Sequence, residues 1–98
     1  MPGLIESPPY TTSKAELCAQ HQRMDDAFDG AEWELQNATD FEGYQLIRNT
    51  SLGPVRTIQV EATLTTPGVV IVFGFERAGG EEKVLLLEAW LPEEEDDP

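Results

Sequence analysis

Residues Val69 to Trp90 read VVIVFGFERAGGEEKVLLLEAW. Val69–Phe75 is β-branched or aromatic at nearly every position, the composition that fits the pleated surface of a central strand. Ala78-Gly79-Gly80-Glu81 supplies the glycines a tight hairpin turn requires, so Lys83–Leu91 reads as the returning strand. Upstream, Thr65-Thr66-Pro67-Gly68 marks a turn. Val55–Glu61 (VRTIQVE) alternates apolar and polar residues as a strand with one buried face does. These three segments predict a three-stranded antiparallel meander. Tyr44–Arg48 is a short extended piece before a turn at Asn49–Pro54.

The period changes before residue 37. Leu17, His21, Met24, Phe28, Ala31 and Leu35 recur at spacings of three and four, one face of a helix, opposite Gln20, Gln22, Asp26, Asp29 and Gln36. Ser13-Lys14-Ala15-Glu16 has the capping-box form, so Lys14–Gln36 is read as helical. It forms two helices or one kinked helix, because Gly30 costs about 1 kcal/mol against alanine and Asp25-Asp26 resembles a start signal. Trp33 lies off the stripe and is available to pack on the sheet. Asn37–Gly43 is a loop, and Gly3–Tyr10 (GLIESPPY) is an edge strand that turns at Pro8-Pro9. The expected class is α+β: a short N-terminal strand, the helices, then the meander, with helices on one face of the sheet.

The chain has 98 residues, enough for one domain, taken as 1–92 with an acidic tail at 93–98. Nineteen acids against six bases give a formal charge of -13. Five of those acids lie in the tail, so the rest of the chain is itself acidic. This balance opposes affinity for phosphate backbones and for anionic membrane surfaces, both of which need Lys and Arg. It suits solubility, a basic protein partner, or mimicry of a nucleic acid. Cys18, the single cysteine, reads as a small, partly buried thiol. No stretch approaches the length of a membrane span, so a cytoplasmic location is the expectation.

Among residues that could carry chemistry, His21 is the sole histidine and reads as a helix-face residue at the core boundary; one histidine without a cysteine partner does not support a metal site. No cofactor is expected. Trp90-Leu91, followed by Glu93, Glu94 and Glu95, has the form of an aromatic anchor beside a charged rim and is the candidate partner-binding segment. Tyr44, Phe73 and Phe75, without interleaved basic residues, read as core.

Three stretches together resemble RelE/ParE-superfamily toxins of the HigB-like branch. GLIESPPY is similar to their opening strand, GYQLIRNTSLGPVRTIQV to the segment leading into an Arg-bearing strand, and VVIVFGFERAGGEEKVLLLEAWLPEEE to their final hairpin. The likeness covers about Gly3–Glu95. It implies a metal-independent endoribonuclease in which Arg56, and Arg48 shortly before it, hold the phosphate, or a toxin that inhibits a protein target. It also implies a cognate antitoxin over the sheet and, for an active nuclease, RNA or the ribosome as partner. The chain departs from the family pattern at Val69-Val70 and at Leu91–Glu95, where basic residues are usual. A second reading is an acidic binding protein, such as an immunity protein, a phage-encoded inhibitor or a nucleic-acid mimic, filling a basic groove. An oligomer is compatible with either.

Overall fold

Ser7 is the point at which the chain passes from its first strand into its first helix. The computed structural model describes residues 3–51, 53–64 and 67–92. Strand β1 (Leu4–Glu6) leads into α1 (Pro8–Gln20) and α2 (Met24–Asn37). Then come β2 (Gln45–Thr50), β3 (Gly53–Val60), β4 (Val69–Ala78) and β5 (Glu81–Trp90). The sheet order is β1-β5-β4-β3-β2, antiparallel throughout except for β1, which lies parallel to β5. The architecture is α+β, with both helices on one face of a mixed five-stranded sheet.

Two expectations change. The antiparallel run has four strands rather than three, because Gln45–Thr50 pairs with β3, as far as Thr50 opposite Gly53. Helix α1 starts at Pro8, not Lys14. Pro8 and Pro9 occupy its first two positions, where the missing N–H groups would have had no helical partner and the fixed φ already suits the helix. The cap is Ser7, whose Oγ accepts from the Tyr10 backbone N–H at 3.3 Å, and Ser13 lies inside the helix. The helices are two, and the second opens at the Asp25-Asp26 start signal: the break falls at residues 21–23, with Arg23 in the left-handed conformation, and Gly30 lies inside α2. Asp25 and Asp26 then sit in the first turn of α2, where the helix dipole favours them. The turn expected at Thr65–Gly68 begins on residues outside the described ones, as does the tail with Glu93, Glu94 and Glu95.

The core is entirely apolar apart from one phenol. Met24, Phe28, Ala31 and Leu35 from the helical stripe meet Ile58, Val69, Ile71, Phe73, Val84 and Leu86 from the sheet. Tyr10 is fully buried among them, with its ring edge-on to Phe28. Its hydroxyl donates to Glu32 Oε2 at 2.5 Å, and Lys14 Nζ donates to the same oxygen at 2.9 Å, which ties α1 to α2. Burial first, then the hydrogen bond and charge of Glu32, hold the Tyr10 phenol far above its ordinary range, so it remains a donor. For Lys14, burial works downward, but the bond and charge of Glu32 outweigh it and raise the ammonium.

One junction fixes the helices on the sheet. The ladder between β4 and β5 slips between Val72 and Phe73: Val72 pairs with Glu88 and Phe73 with Leu86, leaving Leu87 as an extra residue. Ser7 N–H donates to Leu86 O and Ser7 Oγ–H donates to Leu87 O, both at 3.0 Å. The same serine therefore caps α1 and occupies the carbonyls beside the bulge. Ser7→Ala is expected to lower stability by about 2 kcal/mol, the upper end for a helix cap, because a β5 carbonyl is also left without its donor. Denaturant unfolding measures this, and a loss indistinguishable from zero would contradict the double role. Gly30 sits in the middle of α2, exposed, with open space where a Cβ would stand. Gly30→Ala is expected to raise stability by about 1 kcal/mol in the same assay.

Candidate partner-binding surfaces

The two arginines that the toxin resemblance singles out sit on opposite faces of the sheet. Arg56 pairs with Leu46 on one side and with the core residue Phe73 on the other, which puts it on the helix-covered face. There its Nη1 donates to the Tyr44 carbonyl at 3.0 Å. Val55, next in the chain, lies on the other face: its Cγ2 and Leu87 Cδ1 both approach Gly74. Arg48 is the register partner of Val55 and lines a small hollow there, of about 210 Å³, with Val55, Leu85 and Leu87. Arg56 thus leaves its strand on the helical side, not the open side that regular alternation from Val55 suggested. In this arrangement the two guanidinium groups do not converge on one phosphate.

His21 ends α1, its backbone N–H donating to Leu17 O at 3.0 Å. It lines a cleft of about 600 Å³ with Gln59, Glu61, Gly68, Leu91 and Pro92. Neither arginine lines that cleft. Among the described residues no three His, Cys, Asp or Glu side chains gather as metal ligands would, and no helix is long and apolar enough to cross a membrane. Cys18 is half-buried on α1, and burial first, with the charge of Asp25 next, pushes its thiol up and away from the reactive thiolate.

Trp90 and Leu91 stand at the far end of β5, 41% and 37% exposed. β1 covers β5 only at Val84–Leu86 and Ser7 takes the next carbonyls, so Glu88–Trp90 runs with no strand on its outer side among the described residues. Both apolar side chains are placed where a partner can reach them. The face turned away from the helices carries Val55 and Val72, both buried but outside the core cluster.

A more exposed aromatic residue lies on the helical layer. Trp33 is 66% exposed and makes no packing contact with the sheet, contrary to expectation. It sits one turn beyond Asp29, beside Glu34, on the outward side of α2. The charge is concentrated there: residues 8–43 carry eight acids and two bases, whereas the remaining described residues carry six acids and four bases. Seven of the eight are exposed. The outward stripe of α2 was readable as polar from its spacing. The signal for Trp33 was its place off the apolar stripe, which on a helix with one covered face means solvent.

Tyr44 precedes β2 and connects this layer to the core. Its ring packs edge-on against Phe73, at 5.6 Å between centroids, while its hydroxyl donates to Glu34 Oε2 at 2.7 Å. Burial first, then the bond to Glu34 and the charges of Glu34 and Asp40, push the phenol up to about 12. A raised pKa means the contribution is complete below the ordinary value of 10.0 and is lost as pH climbs through about 12. Tyrosinate absorbance should therefore show one of the two tyrosines titrating late, near 12, and Tyr44→Phe should remove that step; a step near 10 would contradict the Glu34 bond. No family model, curated protein or solved structure matches the chain.

Proposed function

We propose that this chain is an acidic protein-binding protein that docks on a basic surface of its partner. The observation that carries this reading is the eight-to-two excess of acids over bases along residues 8–43, nearly all exposed on one layer. A surface of one sign attracts an oppositely charged partner over distance and raises the association rate. Apolar anchors within or beside such a surface, here Trp33 and Trp90 with Leu91, supply the short-range part of the affinity. The sequence carries a further acidic run at Glu93, Glu94 and Glu95.

The order of strand, two helices and antiparallel strands is also the order implied by the RelE/ParE resemblance, and it supports a second reading. In that reading the frame is that of a toxin diverged from RNA cleavage, which blocks a protein target and is neutralised by a cognate antitoxin. Arg56, committed to the Tyr44 carbonyl, then serves the fold.

Two assays test the proposal together. Captured partners should be basic proteins, retained at about 0.05 M salt and released by about 0.5 M, because screening shortens the reach of surface charge. Labelled RNA incubated with the chain should remain intact, with no difference between wild type, Arg48→Ala and Arg56→Ala. RNA cleavage abolished by Arg56→Ala would overturn the binding-protein reading in favour of the nuclease. So would partners whose retention is insensitive to salt.

A further inference from the structure

We infer that the hollow between the last turn of α2 and the loop before β2 receives an arginine side chain of the basic partner. The inference rests on the acidic-binding reading and assigns its contact point. The hollow has a volume of about 490 Å³ and is lined by Trp33, Glu34, Asn37, Asp40 and Tyr44 among others. An indole 66% exposed forms one side. Three residues before it, Gly30 has no side chain and open space where a Cβ would stand. Asn37 holds the turn closed, its Nδ2 donating to Trp33 O at 2.8 Å.

The acidic groups are fixed rather than loose. Tyr44 holds Glu34 by Oε2, and the Oε1 atom accepts no hydrogen bond from the described residues. Asp40 is held by Oδ1, which accepts the Glu42 backbone N–H at 3.3 Å. Both carboxylates line the hollow, and none of its other lining residues is basic. Arg56 donates to the Tyr44 carbonyl and makes no ion pair with either carboxylate.

An aromatic face and two carboxylates around one hollow make a site for a cation. Its chemistry favours guanidinium over ammonium. A planar, weakly hydrated guanidinium stacks on the indole while its N–H groups fork to carboxylate oxygens, whereas ammonium is a compact, strongly hydrated point charge. The net charge of -13 supplies the complementarity that brings a basic segment to this layer.

The test is an NMR titration of the isotope-labelled full chain with a short capped peptide of glycine, serine and three arginines, and with its lysine counterpart. The chain has two tryptophans, so the Trp33 indole N–H is assigned as the signal lost in Trp33→Ala. The arginine peptide is expected to shift the Trp33 indole and the amides of residues 33–44 saturably, and to bind tighter than the lysine peptide. Trp33→Ala should weaken it about tenfold, with the melting temperature unchanged because the side chain is exposed. Equal binding of both peptides, with affinity retained in Trp33→Ala, would overturn the pocket and leave diffuse acidic binding standing. No response to either peptide at low salt would overturn both.

Discussion

The hydroxyl of Ser7 is the constraint on which the arrangement depends. It donates to Leu87 O on β5 while accepting from the Tyr10 N–H of α1. Leu87 is the residue by which β5 slips against β4, and a bulge exposes carbonyls that the ladder cannot pair. A buried or half-buried carbonyl without a donor costs about 1–3 kcal/mol. The serine relieves that cost and, in the same geometry, starts a helix directly above β5. Once α1 begins there, Tyr10 falls into the core against Phe28, and its hydroxyl and Lys14 together hold Glu32 of α2. The second helix is thus placed by the first, and its unburied side faces solvent with Trp33 upon it.

The elements whose period was pure were legible in the sequence. β4, the Gly79-Gly80 hairpin and the Met24–Leu35 stripe sit where their residues put them, since β-branched runs and three-four spacing have few alternatives. Val55–Val60 was misread in its facing because Val55 and Ile58 are three apart, which on a strand sends them to opposite faces. Arg48 is separated from Arg56 by the irregularity in β2, where Leu46 pairs with Arg56 but Arg48 pairs with Val55, and single-strand alternation does not contain it. Pro8-Pro9 misled for a different reason: the same dipeptide ends a strand and opens a helix, and only the serine's tertiary partners on β5 decide between them. β2 was seen as half a strand because all its side chains are exposed, leaving no hydrophobic period to detect.

The hollow beside Trp33 illustrates the same limit. Its residues, from Trp33 to Tyr44, are near in sequence, yet the sequence shows only an aromatic residue, acids and a loop. What gives the group a shape is Tyr44. Its ring is anchored on Phe73 while its hydroxyl reaches Glu34, so a core contact determines where a surface carboxylate stands. A site on an exposed loop gains order in this way from the sheet beneath it.

Helix α2 is not built for its own stability. Asp25 and Asp29 lie four apart, a like-charge pair that destabilises a helix by a few tenths of a kcal/mol. Gly30 adds about 1 kcal/mol at an exposed position where alanine fits without a clash. Trp33 leaves a large apolar surface in water. The first-turn position of Asp25 and Asp26 recovers part of this, but it does not account for Gly30 or Trp33. Where several local choices on one face oppose folding while the buried face of the same helix is regularly apolar, the exposed face is shaped by something other than the fold. Asp29, Gly30 and Trp33 share the outward side of α2, and of the three Trp33 lines the hollow. In the proposed complex a guanidinium stacked there takes the indole face out of water.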